Sequence, residues 1–121
     1  MEFKKKKDNI VYLYASVVDK EALLAFIEAS IRDFDTYAIN ISNFGTSLDN
    51  LEQMHHVVSG QLKDDCFMKI SEYLFGQMGC AAKAWKRYGF EYVFPENHYK
   101  LEADKDTVYA LSEMFDACFY S

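Results

Sequence analysis

The chain has 121 residues, half of them apolar and a quarter charged, which fits a single globular domain and excludes disorder or a scaffold that folds only with disulfides or metal. Formal net charge is −6, yet Lys4, Lys5, Lys6 and Lys7 hold four of the 13 basic side chains, so from Asp8 onward nine Lys and Arg face eighteen Asp and Glu. A body near −9 repels a phosphate backbone, which speaks against direct nucleic-acid binding, and its field favours encounter with basic partners.

Residues 1–8 read as a basic tail, with 9–121 forming the domain; its Lys4–Lys7 run suits either contact with anionic lipid or nucleic acid or, more commonly, a solvated tail. The lysines followed by an apolar run loosely resemble a signal peptide. Asp8 and Asn9 interrupt that run, Tyr12 and Tyr14 lie within it, and no small-residue cleavage site follows. Residues 10–18 predict a strand buried on both faces. A helix over 20–34 follows, with Asp19 as N-cap and Leu23, Phe26, Ile27, Ile31 and Phe34 at helical spacing. The alternation of 36–42 predicts a second strand, and strand, helix and strand together suggest a right-handed βαβ unit with two parallel strands.

A short helix is expected over 47–59, stopped by Gly60, and a long one over 65–88 with Phe67, Ile70, Leu74, Met78, Ala81 and Trp85 on its inner line. Gly76 and Gly79 weaken that helix unless another element packs closely on it. Residues 90–94 and 99–103 predict a hairpin, and 105–119 a last helix. The order is β-α-β-α-α-β-β-α, an α+β or α/β fold with a mixed sheet of about four strands packed with about four helices.

Catalytic and ligand-binding motifs are sparse. His55 and His56 are neighbours about 100° apart on a helix and do not converge on one metal. Glu52 and His55 have the Glu-x-x-His spacing of di-iron bundles, but the second such motif is missing, so a half-buried helix histidine is the expectation and no metal is foreseen. His98 falls in a hairpin loop. Cys66, Cys80 and Cys118 are an odd, widely spaced set that reads as buried, reduced thiols in a cytoplasmic protein. Cys66 and Cys80, about 21 Å apart on one helix, can neither pair nor share a metal. The five glycines form no phosphate loop, and no cofactor is expected. No stretch reaches the roughly 20 apolar residues of a membrane span. Nine tyrosines exceed what a core can hide with every hydroxyl bonded, so several belong on the surface.

The last helix carries the most specific pattern. Val108, Leu111, Phe115, Cys118 and Phe119 form its apolar stripe, while Asp106, Tyr109, Glu113, Asp116 and Tyr120 form another on a different side. Carboxylates steer a basic partner and tyrosines anchor it, although a charged helix face is also the commonest solvated surface. Asp33 and Asp35, at the end of the first helix, are a second acidic group that opposes the helix dipole.

Size, acidity, surplus tyrosine, absence of a catalytic motif and the Asp106–Tyr120 stripe together resemble small acidic bacterial immunity proteins that neutralise nuclease toxins, including those of contact-dependent growth inhibition. The resemblance is one of type and implies a non-enzymatic inhibitor bound one-to-one to a basic nuclease toxin domain. A phage-type inhibitor of a nucleic-acid enzyme follows the same logic. Other readings are a small-ligand domain or enzyme, with a pocket at the carboxyl ends of the parallel strands near Val17–Asp19 and Ser42–Thr46 and with His55 and His56 nearby, and a homodimer joined through exposed tyrosines.

Overall fold

Asp8 and Asn9 both take left-handed backbone, φ 54° and 64°, as a two-residue type I′ hairpin turn requires at its central positions. In the computed structural model, which describes residues 1–37, 46–63, 66–88, 91–93, 98–100 and 104–120, this turn joins β1 (Glu2–Lys7) to β2 (Ile10–Tyr14). The expected basic tail is therefore a sheet strand, because the Asp-Asn pair folds it back onto its neighbour. Lys7 lies opposite Ile10, Lys6 opposite Val11 and Lys5 opposite Tyr12; the register then shifts, leaving Lys4 as an extra residue before Phe3 meets Leu13.

On the other side of β2 lies antiparallel β3 (Phe67–Ser71), with Phe67 opposite Tyr14, Lys69 opposite Tyr12 and Ser71 opposite Ile10. The three-stranded sheet has the order β1-β2-β3. The helix expected over 65–88 thus begins only at Glu72, and Phe67 and Ile70 do not share an inner helical line. Strand periodicity buries Met68 and Ile70 and leaves Phe67 and Lys69 outside. Gln61 closes the free edge of β3 as a peptide group would: its side-chain N–H donates to the Lys69 carbonyl (2.7 Å) and its side-chain oxygen accepts from the Lys69 N–H (2.9 Å).

The strand expected over 10–18 stops at Tyr14 because Ser16 starts a helix. Ser16 and Asp19 form a capping box: the Ser16 hydroxyl accepts from the Asp19 N–H (3.1 Å) and the Asp19 carboxylate from the Ser16 N–H (3.0 Å). Asp19 is thus the reciprocal partner in the first turn, and Ser16 holds the N-cap role. The helix α1 (Val17–Tyr37) runs through the start of the strand expected at 36–42; residues 38–42 lie outside the described residues. All strand pairs among the described residues are antiparallel, so the βαβ expectation fails and the fold is α+β.

The helix α2 (Leu48–Ser59) begins at Ser47, whose hydroxyl accepts from the Asn50 N–H, and ends at Gly60 with φ −67°, not the left-handed value of a C′ glycine. After α3 (Glu72–Tyr88) come β4 (Glu91–Val93) and β5 (His98–Lys100), a separate antiparallel pair where a single four-stranded sheet was expected. The expected last helix is α4 (Lys105–Phe119), capped by Asp104.

The core lies between the inner sheet face (Val11, Leu13, Met68, Ile70) and residues from all four helices, among them Phe26, Leu51, Phe75, Trp85 and Leu111. Trp85 is fully buried and donates its indole N–H to the Ser30 hydroxyl (3.1 Å), which in turn donates to the Phe26 carbonyl (2.9 Å). This couples α1 to α3 with the polar groups satisfied. Lys20, also fully buried, reaches the Gln61 carbonyl at 2.9 Å and so ties α1 to the segment that closes β3.

Burial alone would raise the Asp19 carboxyl, but the Ser16 backbone N–H, the Met1 ammonium at 3.4 Å and the Ser16 hydroxyl together hold it below the usual carboxylate range. A depressed folded-state value stabilises the fold above the unfolded value of about 4 and loses that contribution as pH falls through the folded value. Asp19→Asn should therefore cost about 1 kcal/mol at neutral pH, a deficit that shrinks as pH falls through the folded-state value of Asp19. Urea unfolding followed by Trp85 fluorescence across pH checks this; a deficit independent of pH would assign the effect to packing.

Candidate functional site

The position of α4 against α3 depends on Gly79 of α3. A Cβ on Gly79 would sit 2.9 Å from Phe115 Cβ and closer still to the ring, and one on Gly76 would meet the Phe119 ring at 3.7 Å. The close packing expected at these glycines is thus present at Gly79, while at Gly76 a Cβ would make only ordinary contact; Phe115 and Phe119 lie along this side of α3. Their ring centres are 4.8 Å apart, with that of Phe75 6.3 Å from Phe119. Val108, Leu111, Met114 and Cys118 complete the buried side of α4. Of the expected apolar stripe, Phe115 and Phe119 are only partly buried, and Met114, outside it, belongs to the core.

With that side fixed, Asp106, Tyr109, Glu113, Asp116 and Tyr120 all emerge on the outer side of α4, and all five are exposed. Tyr109 is 45% and Tyr120 75% accessible, far above what a tyrosine folded back onto the core would retain. The face is less uniformly acidic than its own helix suggests, because α3 contributes cations to it. Lys83 bonds Asp116 at 2.7 Å and lies 5.1 Å from the Phe115 ring, and Lys86 lies 5.2 Å from the Tyr109 ring. Asp106 and Glu113 have no ion pair among the described residues. The unneutralised charge therefore sits in the first two-thirds of the helix, flanked by Tyr109. Asp33 and Asp35 lie on the last turns of α1; their side chains fall outside the described residues.

The histidines do not build a centre. His55 Nε2 lies 2.9 Å from a Glu28 carboxylate oxygen, a contact between α2 and α1, while His56 is exposed on the next position round the helix. His98 lies on β5, where a loop was expected. No cluster of three metal-ligating side chains occurs among the described residues. The cysteines are not arranged as expected either. Cys66 is exposed, precedes β3 with φ 68° and is not on a helix with Cys80; Cys118 is buried, and burial pushes its thiol up. None of the three is disulfide-bonded. No helix among the described residues is long and apolar enough to cross a membrane.

The pocket expected at the ends of parallel strands loses its basis with the antiparallel sheet. An open depression of about 350 Å³ does lie at the start of α1, bordered by Glu2, Tyr14, Ser16, Asp19 and Cys66, and of its two carboxylates that of Asp19 is committed to the capping box. Residues 42–45 of the proposed pocket lie outside the described residues.

A second surface was not foreseen. On the open side of the sheet, Tyr12, Tyr14 and Phe67 stand beside Lys4, Lys5 and Lys69. The Lys4 ammonium is 4.7 Å from the Tyr14 ring centre and 5.1 Å from that of Phe67, and Lys5 is 5.1 Å from that of Tyr12. The i, i+2 tyrosines after an Asp-Asn turn were the legible signal. Assigning Phe67 and Ile70 to a helix hid the strand that completes the surface.

Gly79→Ala should destabilise the protein by about 1–3 kcal/mol, since Phe115 must shift, against the roughly 1 kcal/mol gain that Ala gives an unobstructed helix. Urea unfolding monitored by circular dichroism reads the sign. A stabilised variant would show that α3 and α4 have room to separate. No protein-family model, no curated protein and no solved structure matches this chain.

Proposed function

We propose that the protein is a non-catalytic binding protein that engages a basic protein partner through the outer face of α4, acting as an immunity-type inhibitor of a nuclease toxin domain. The observation that carries the reading is the simultaneous exposure of Asp106, Tyr109, Glu113, Asp116 and Tyr120 along one helix that packs closely on α3 at Gly79. A rigid helix presenting carboxylates and large aromatic surface loses little entropy on binding. The carboxylates accelerate encounter with a cationic cleft, and desolvated tyrosines slow departure.

A nuclease must be basic where it grips phosphates, so carboxylates seated there exclude substrate directly. Asp106 and Glu113 are the residues for that role. Asp116 is already neutralised by Lys83, so it contributes least to attraction and serves instead to hold Lys83 over Phe115. Tyr109 and Tyr120 are the anchors.

The test starts from the basic protein retained by the tagged chain from its source lysate, purified and assayed for nuclease activity. One equivalent of the chain should abolish that activity. Replacing Asp106 and Glu113 with Lys should weaken the complex by about 1,000-fold, roughly 4 kcal/mol, with an unchanged thermal melt. Tyr109→Ala should cost tenfold or more, about 1.4 kcal/mol, while Asp116→Asn should cost less than either carboxylate reversal. A partner that binds the reversed variant equally well would remove this face from the interface. A partner without nuclease activity would remove the inhibitor reading.

A further inference from the structure

The open sheet face concentrates positive charge on a protein of net charge −6. By the pleat, Glu2, Lys5 and Lys7 of β1, Ile10, Tyr12 and Tyr14 of β2, and Phe67, Lys69 and Ser71 of β3 share this side, and Lys4 at the register shift also lies over it. Four lysines therefore stand against one glutamate. Lys6 alone of the run turns to the helical side, where it bonds Glu72 at 3.2 Å and lies 5.0 Å from the Phe119 ring.

Lysines on an edge strand are an ordinary guard against unwanted strand pairing. That role accounts for the lysines of β1 and for Lys69 on β3, the other edge strand, but not for the exposed aromatic rings that stand among them. Tyr14 and Phe67 are 41% and 46% accessible with ring centres 5.0 Å apart, and Lys69 comes from the opposite strand of the sheet. Three aromatic rings interleaved with cations on an open sheet are the two halves of a single-strand platform: flat faces for bases and ammonium groups for the phosphates between them. Tyr12 and Tyr14 are two residues apart on one face, about 7 Å, a step that successive unstacked bases can follow. Beside Tyr12 and Lys69, open depressions of about 290 and 490 Å³ continue toward Gln61 and the end of α2, giving a third base a place at the β3 edge.

We propose that the open face of the sheet binds single-stranded nucleic acid, with Tyr12, Tyr14 and Phe67 as stacking surfaces and Lys4, Lys5 and Lys69 as phosphate contacts. In the free protein Lys4 covers the Tyr14 and Phe67 rings. A base stacks over more of an exposed ring than an ammonium does, so it displaces Lys4, which remains within reach of the adjoining phosphate. A duplex does not suit the face, because its bases are not available for stacking. The site uses none of the outward α4 residues and stands independently of the partner proposed for them.

Fluorescence anisotropy with labelled twelve-residue oligothymidylate and oligouridylate tests this on the full chain at low salt. Saturable binding is expected for one or both, tighter by tenfold or more than for a duplex of the same length, for heparin or for phosphatidylserine vesicles. Binding of heparin or vesicles as tight as that of the single strands would reveal a general anion surface and overturn the proposal, as would no saturation at tens of micromolar protein. These comparisons need no variant. Tyr14→Leu with Phe67→Leu, which keeps apolar bulk but removes the flat rings, should weaken oligonucleotide binding at least tenfold and leave heparin binding unchanged. Lys4, Lys5 and Lys69 all changed to Gln should reduce the slope of log K against log salt by about 2. An unchanged slope in that folded variant would place the nucleic acid elsewhere.

Discussion

Strand β2 is hydrogen-bonded on both sides, to β1 and to β3, and the arrangement of both faces of the sheet depends on that pairing. Its alternation sends Val11 and Leu13 into the core and Tyr12 and Tyr14 outward. Because pairing is in register, the neighbours must obey the same division: Met68 and Ile70 go inward, Phe67 and Lys69 outward. A slip of one residue would expose the core set and bury lysines, a cost large enough to make the register unique. Two local devices support it. The Asp8–Asn9 turn fixes β1 on β2, and the Gln61 amide occupies the outer hydrogen-bonding groups of Lys69 so that the sheet ends at β3.

The helical side has its own constraint, the absence of a side chain at Gly79. It lets α4 approach α3 closely enough to lodge Phe115, and this decides which residues of α4 remain outside. The same approach brings Lys83 to Asp116 and Lys86 to Tyr109, so part of the acidic face is neutralised by the helix it packs on. Exposed ion pairs of this kind add little stability. Their consequence is to localise the unpaired carboxylate charge at Asp106 and Glu113.

Net charge says little about either surface by itself. The excess of acid from Asp8 onward argues against a phosphate-binding body when averaged over the molecule. Association is governed by local potential, however, and a Debye length of about 8 Å at physiological ionic strength isolates a lysine-rich sheet face from carboxylates farther off. Once the lysines of β1 are placed on a strand, opposite Tyr12 and near Phe67, they cease to be a solvated tail and become part of a defined chemical surface.

Elements whose signals are local are legible in the chain before it folds. The helix at 105–119 with its outward Asp106, Tyr109, Glu113, Asp116 and Tyr120, the helix expected over 47–59 and the close packing at Gly79 follow from helical periodicity and glycine placement, and the antiparallel pair of 91–93 with 98–100 from short strand-like runs on either side of Pro95. The segment from Phe67 to Ser71 was misread because Phe67, Ile70 and Leu74 are spaced three and four apart, which mimics a helix when the strand is short and leads directly into one. Likewise Ser16 was passed over because Asp19, its capping-box partner, is itself a good cap. It takes the folded chain to establish that the lysine run is a strand, that all pairings among the described residues are antiparallel, that Lys83 and Lys86 reach α4, and that aromatic rings from β2 and β3 stand together under lysines. Each of these joins residues distant in the chain, and such pairings are selected by the burial of one shared core rather than by any pattern within a single segment.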